Sequence, residues 1–319
     1  MERCWAWVRL VGGAAILAAL VWHLGVDPFV DGVRMVDGPA VVIAVVIGAV
    51  TTAACAWRWR LVARSLGVRV SLRAAVGAYY RSLFLNAILP GGVAGDVHRA
   101  VRHGRDIGDV ALGVRAVVVE RVAGLGVTLG LGVAALAVLP SPVQPNLPLL
   151  AGVLVAVAAL LVLVRAAGRG RSARWVRTLR AVRAYMRDGV PNGSTAVGVV
   201  VATAVILGGN LATFVVAARV AGVSAPTVLL VPLTLLSLLA MVLPLSIAGW
   251  GPREGVAAAA FAAAGLTASQ GLAAAVVYGV LTLAATLPGA AVLVVGWIVR
   301  QRRVRAGAGL WAAPEYGRG

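Results

Sequence analysis

The sequence predicts an all-α integral membrane protein with six transmembrane helices and two re-entrant hairpins, arranged as an inverted-topology repeat. Three observations lead there. Of the 319 residues 61% are hydrophobic, and the mean hydropathy is +0.95; several stretches reach the ~20 apolar residues that a bilayer crossing takes. The net charge of +18 comes from arginine alone, with no lysine in the chain. These arginines gather between the apolar stretches, which reads as membrane topology rather than nucleic-acid binding. Third, one phrase is written twice. "NAILPGGVAGDVHRA" carries Leu89, Pro90, Val93, Ala94, Gly95 and Arg99, and "AMVLPLSIAGWGPREG" carries Leu243, Pro244, Ile247, Ala248, Gly249 and Arg253. The offset, 244 − 90 = 154, holds throughout without a gap.

The first apolar stretch, residues 8–24, follows Arg3 and Arg9. It lacks a convincing small-x-small cleavage site before Asp27 and is read as a retained span rather than a signal peptide. An acid-leaning loop with Asp27, Asp31, Arg34 and Asp37 comes next. The second span, 39–57, runs into Arg58, Arg60, Arg64, Arg69 and Arg73. That run marks the cytoplasmic side, with Trp57 and Trp59 at the headgroup boundary. Spans three and four cover 111–139 and 148–164, with an uncharged loop between them. Residues 165–190 hold Arg171, Arg174, Arg177, Arg180, Arg183 and Arg187 at steps of three or four, with Trp175, Leu179, Val182 and Met186 on the other side. This is the pattern of a cytoplasmic amphipathic helix on the membrane surface, either setting topology or holding anionic lipid. Spans five and six cover 195–220 and 272–299. Six spans place both termini in the cytoplasm. One membrane domain, 1–304, precedes a loosely ordered tail, 305–319.

Two apolar stretches remain. Residues 74–89 contain Arg81 and Asn86, end at Pro90-Gly91-Gly92, and have arginines on both flanks. A segment with the same side at both ends has entered and returned. Residues 228–243, ending at Pro244, are the counterpart. At the 154 offset, 39–57 maps onto 193–211 and 111–139 onto 265–293, so a unit of span, hairpin and span is repeated (about 39–139 and 193–299) with opposite orientation. Such inverted repeats build transporters whose substrates meet broken helices near the midplane. Pro90, Gly91, Gly95, Pro244, Gly249 and Gly251 are the expected turn residues.

Charges at membrane depth should face protein, water or ligand. Arg99 and Arg253 follow glycine-rich turns at helix starts, where free N–H groups and a guanidinium fork suit phosphate. Arg81, Asn86, Asp96, Glu120, Arg121 and Glu254 complete the expected substrate-binding set. Asp96 and Glu254 have a second reading as helix caps, and Glu120-Arg121 as a structural ion pair. Cys4, Cys55 and the three histidines have no metal-ligand or catalytic spacing, so neither metal nor cofactor is expected.

The phrases around Asn86–Arg99, "VVVERVAGLG" and "LPLSIAGWGPREG" together resemble the lysylphosphatidylglycerol synthase transmembrane-region family, also called flippase-like, which includes the membrane half of the multiple-peptide-resistance factor. The matching positions are Asn86, Leu89-Pro90-Gly91, Gly95-Asp96, Arg99, Glu120-Arg121, Gly124-Leu125, Gly249, Gly251, Arg253 and Glu254; Ala248 stands where the family pattern has glycine. The resemblance covers nearly the whole chain. It implies translocation of an anionic, modified or polyprenyl-linked lipid across the cytoplasmic membrane. Membrane lipids and their anionic headgroups are then the expected partners, with a separate lipid-modifying enzyme as a further one and nucleic acid as none. Synthase activity is not expected, because the longest polar stretch, 165–190, cannot hold the soluble aminoacyl-transfer domain. The alternatives are a polyprenyl-phosphate glycosyltransferase or other lipid-modifying enzyme, or a scaffold for one.

Overall fold

The computed structural model describes residues 14–89, 92–139, 193–241 and 250–310. The elements they form are α-helices: α1 (Ala14–Leu24), α2 (Asp27–Arg34), α3 (Gly38–Ser65), α4 (Leu72–Ile88), α5 (Ala94–Asp106), α6 (Val110–Val138), α7 (Gly193–Val220), α8 (Thr227–Ala240), α9 (Pro252–Ala263) and α10 (Ala268–Leu310). Among the described residues four helices are long and apolar enough to cross a membrane: α3, α6, α7 and the Ala268–Ile298 part of α10. The count reaches five if α1 and α2, which meet at 97°, form one bent span. The fourth expected span (148–164), the amphipathic segment (165–190), the tail beyond Leu310, and the turn residues Pro90, Gly91, Pro244 and Gly249 lie outside the described residues.

Capping chemistry sets several boundaries. Asp37 accepts from the Ala40 N–H at 2.9 Å to start α3, and Pro39 fits its first turn. Asp109 does the same for α6 through Leu112 N–H at 2.9 Å. Gly67 and Gly222, with φ of 81° and 77°, close α3 and α7 in the same way. The next N–H reaches back to the helix in both, Val68 to Ala63 O at 2.9 Å and Val223 to Ala218 O at 3.0 Å.

Two corrections to the sequence reading follow. The acid-leaning loop after residue 24 contains a helix, α2, whose Gly32 lies against Ala273 and Val276 of α10. The second span continues to Ser65, so Arg58 and Trp59 are helical and buried, at 5% and 1% exposure, instead of marking the headgroup boundary.

The surface of α3 suits lipid. Ala40, Ala44, Ala54, Cys55 and Ala56 face protein, while Val42, Ile43, Val46 and Val50 face outward. Small residues inside let helices approach closely where no hydrophobic effect drives them together.

The helices form two series in the same order, long–short–short–long: α3–α6 and α7–α10. Exchanging the series preserves the packing. α3 packs on α4 as α7 on α8, α4 on α5 as α8 on α9, and α5 on α6 as α9 on α10. Across the series, α4 packs on α10 as α8 does on α6, and α3 on α10 as α7 on α6. The corresponding helices α3 and α7 pack on each other and run antiparallel, since Gly198 faces Trp57 and Leu61 while Gly209 faces Ile47 and Thr51.

Candidate functional site

Five of the eight expected site residues converge where α3, α4, α5 and α6 meet. Glu120, fully buried on α6, is held from two sides. Its Oε1 accepts from Arg58 Nε at 2.9 Å and Arg58 Nη2 at 2.6 Å, and its Oε2 accepts from Arg99 Nη2 at 3.1 Å. Arg99 Nη2 also donates to Asp96 Oδ1 at 3.0 Å, and Arg121 Nη2 reaches the same oxygen at 2.7 Å. Ser82 Oγ and Asn86 Nδ2 donate to Asp96 at 3.0 and 3.3 Å, while Asn86 Oδ1 accepts from Gly95 N–H at 2.7 Å. Arg58 Nη1 donates to Thr203 Oγ1 on α7 at 3.1 Å. Three arginines face two carboxylates, and only Arg121, with 40% of its side chain exposed, has wide access to the outside.

Backbone geometry makes this assembly possible. A Cβ on Gly95 would lie 2.0 Å from Ser82 O, so only glycine lets α5 press against α4. A Cβ on Gly124 would lie 2.6 Å from Arg58 Cζ, so the glycine after the Glu120-Arg121 pair makes room for the guanidinium.

The second reading of Asp96, as an N-cap, is corrected. Val93 occupies the cap position without a side-chain bond, and Asp96 is the third helical residue with its carboxylate committed to arginines. Burial raises the pKa of Asp96, but Arg121 and Arg99 outweigh it and hold the carboxyl well below the usual carboxylate range.

Arg253 and Glu254 form a second cluster at the start of α9. Glu254 Oε2 accepts from Gly251 N–H at 2.7 Å, which is the capping role, and Oε1 pairs with Arg253 Nε at 2.9 Å and with Arg253 Nη2. The two arginines of the repeated phrase have the same surroundings. Arg99 Cζ lies 4.0 Å from the Tyr79 ring centre and 4.7 Å from that of Trp59; Arg253 Cζ lies 5.1 Å from both Trp250 and Tyr278. Each guanidinium thus has a tryptophan, a tyrosine and a fully buried glutamate around it. The partners come from non-corresponding positions, since Glu120 maps at the 154 offset onto the buried Ala274.

Arg81 stays outside both clusters. It lines a cavity of about 330 Å³ between α3, α4 and α5, with Trp59, Arg73, His98, Arg99, Arg102, His103 and Asp106 among the other walls. Sequence reasoning missed Arg58, Trp59, Tyr79, Ser82 and Thr203. Among the described residues, no three His, Cys, Asp or Glu side chains are placed to hold a metal ion.

No functionally curated protein matches the chain. A family model described as the lysylphosphatidylglycerol synthase TM region matches residues 6–289. A match of that extent, over helices of this apolarity, means that the chain is a multi-pass membrane protein belonging to the lysylphosphatidylglycerol synthase transmembrane-region family, one tied to lipid metabolism.

Proposed function

We propose that the chain is a lipid flippase-like transporter and not an enzyme, moving a lipid with an anionic headgroup across the cytoplasmic membrane. The observation that carries this is the pair Arg99 and Arg253, in corresponding positions of the repeated phrase and each buried between a tryptophan, a tyrosine and a glutamate. In this reading α4–α5 and α8–α9 are the two re-entrant hairpins, entering from opposite faces, and the full chain has six spans with both termini in the cytoplasm. The antiparallel packing of α3 on α7 supports the inversion, because corresponding helices of an inverted repeat cross the membrane in opposite directions. The half-buried Arg121 beside Asp96 offers a route by which a headgroup phosphate competes for the first cluster.

The test is loss of inner-leaflet protection in liposomes that contain the purified protein and a fluorescent phosphatidylglycerol. Wild type makes the inner-leaflet probe accessible to a membrane-impermeant quencher. Arg99→Lys and Arg253→Lys, which keep the charge but lose the fork, slow this partially; the double Arg→Ala variant slows it by roughly 2–5 kcal/mol of barrier. Quenching no faster than in protein-free liposomes sinks the transport reading and leaves the lipid-modifying enzyme or its scaffold.

A further inference from the structure

The cavity beside the first cluster has more positive charge than the protein neutralises. Arg99 shares Glu120 and Asp96 with Arg58 and Arg121, three arginines against two carboxylates, so that cluster has no negative charge to spare for the cavity. Arg73, Arg81 and Arg102 have no carboxylate within ion-pair distance among the described residues. Asp106 is the one acid in the lining. Three arginines against one aspartate leave two positive charges with both histidines neutral.

Its walls also hold donors without acceptors. Trp59 Nε1, Arg81 Nε, Arg99 Nε and Arg99 Nη1 are buried without a hydrogen-bond partner, as is His103 Nε2, and all belong to side chains that line this cavity. Arg99 itself is 2% exposed. Buried donors left alone are costly. A group that only accepts, and that has two negative charges, offsets the surplus of positive charge.

We propose that this cavity binds a phosphomonoester dianion, the headgroup chemistry of a lipid that ends in an unesterified phosphate. Three terminal oxygens take the forked donors of Arg81 and Arg102, with Arg73 at the rim and Arg99 at the back. A phosphodiester has one charge fewer and one charged oxygen fewer, and leaves an arginine unmatched. The cavity runs from the middle of the α4–α5 pair, at Arg81 and Arg99, to the end away from its turn, at Arg73 and Asp106. That is the headgroup level of the membrane if the pair is a re-entrant hairpin. The use of the site in transport rests on the flippase reading; the binding does not, and it is measured without transport.

Purified full-length protein in detergent is titrated with short-chain phosphatidic acid and with matched phosphatidylglycerol, following bound lipid by native mass spectrometry. Phosphatidic acid is expected to bind about tenfold tighter, the equivalent of one further charge-assisted contact. Arg81→Gln with Arg102→Gln removes that preference, while Arg34→Gln, on the exposed face of α2, keeps it. Equal affinity for the two lipids overturns the proposal, and so does a preference that survives the double variant. Inorganic phosphate provides the second arm. If it displaces phosphatidic acid, the dianion alone fills the site; if only the lipid binds, the acyl chains contribute; either result supports the phosphomonoester. A protein that prefers phosphatidic acid yet translocates no lipid keeps this site and loses the transport reading.

Discussion

Glu120 accepts two hydrogen bonds from Arg58, at 2.9 and 2.6 Å, joining α6 to α3 through two buried side chains. Removing one partner of such a pair leaves the other charged and buried, at about 3–5 kcal/mol, whereas replacing both with apolar groups is far milder. Arg99 keeps Asp96 as a partner in every such variant. Glu120→Leu and Arg58→Met alone are therefore expected to lower the melting temperature in detergent strongly. The double variant should melt above the sum of the two losses, with a coupling of roughly 0.5–3 kcal/mol. Additive losses would show that the pair is not a unit. Arginines hold both carboxylate oxygens, so the expected role of Glu120 is that of a fixed ion-pair member and not of a proton carrier. Glu120→Gln should then leave the pH profile of any surviving translocation unchanged.

How far this site was legible in the sequence depended on what its residues stood next to. Asn86, Asp96, Arg99, Glu120 and Arg121 stand out because charge and amide within apolar stretches need partners, and α4, α5 and α6 do bring them together. Arg58 was lost in a run of arginines read as topology. Its one distinguishing signal is phase: it falls four residues after Ala54 and four before Val62, on the buried face of α3, whereas Arg64 does not. Trp59 and Tyr79 look like interface or packing residues, and only three-dimensional placement reveals rings lying against Arg99. Glu254 was readable as a cap because capping is local. The same reading failed for Asp96, because Ser82, Asn86 and Arg121 on other helices, with Arg99 on its own, take up its carboxylate. The four long helices α3, α6, α7 and α10 followed from apolar length, but α2 and the end of α3 did not, since the last turns of α3 contain the arginines that hydropathy reads as outside.

The antiparallel α3 and α7 end in matching turns, at Gly67 and Gly222. Arg69 and Ser224, two residues beyond each glycine, are both exposed. In a background without Cys4 and Cys55, Arg69→Cys should react with a membrane-impermeant thiol reagent from the cytoplasmic side, and Ser224→Cys from the outer side. Side-selective labelling of intact cells and inverted vesicles reads this directly. Reaction of both from a single side would mean that the two halves are not inverted across the membrane.

His98 and His103 give the cavity a dependence on pH with a defined sign. Burial, then Arg102 and Arg81, push His98 below its ordinary 6.5; burial and Arg99 do the same to His103, against the opposing pull of Asp106. The charged groups around them are Arg73 and Arg81 on α4 and Arg99, Arg102 and Asp106 on α5, and the His103 ring stands edge-on to Trp59 at 5.2 Å. A histidine whose folded pKa is lowered is under-protonated relative to the unfolded chain as pH falls below 6.5, so the empty protein loses stability there. An anion in the cavity reverses the trend, because each protonated imidazole adds a positive charge beside it and is stabilised in return. Sulfate is the suitable probe, as it stays a dianion where phosphate would take up a proton. Its stabilisation of the protein, measured as a melting shift against sodium chloride of equal ionic strength, should be larger at about pH 5.5 than at about pH 8. In the His98→Gln, His103→Gln variant the shift should persist and be nearly the same at both pH values. A sulfate shift in wild type that is flat with pH, or that falls as pH falls, would remove the histidines from the cavity's charge balance.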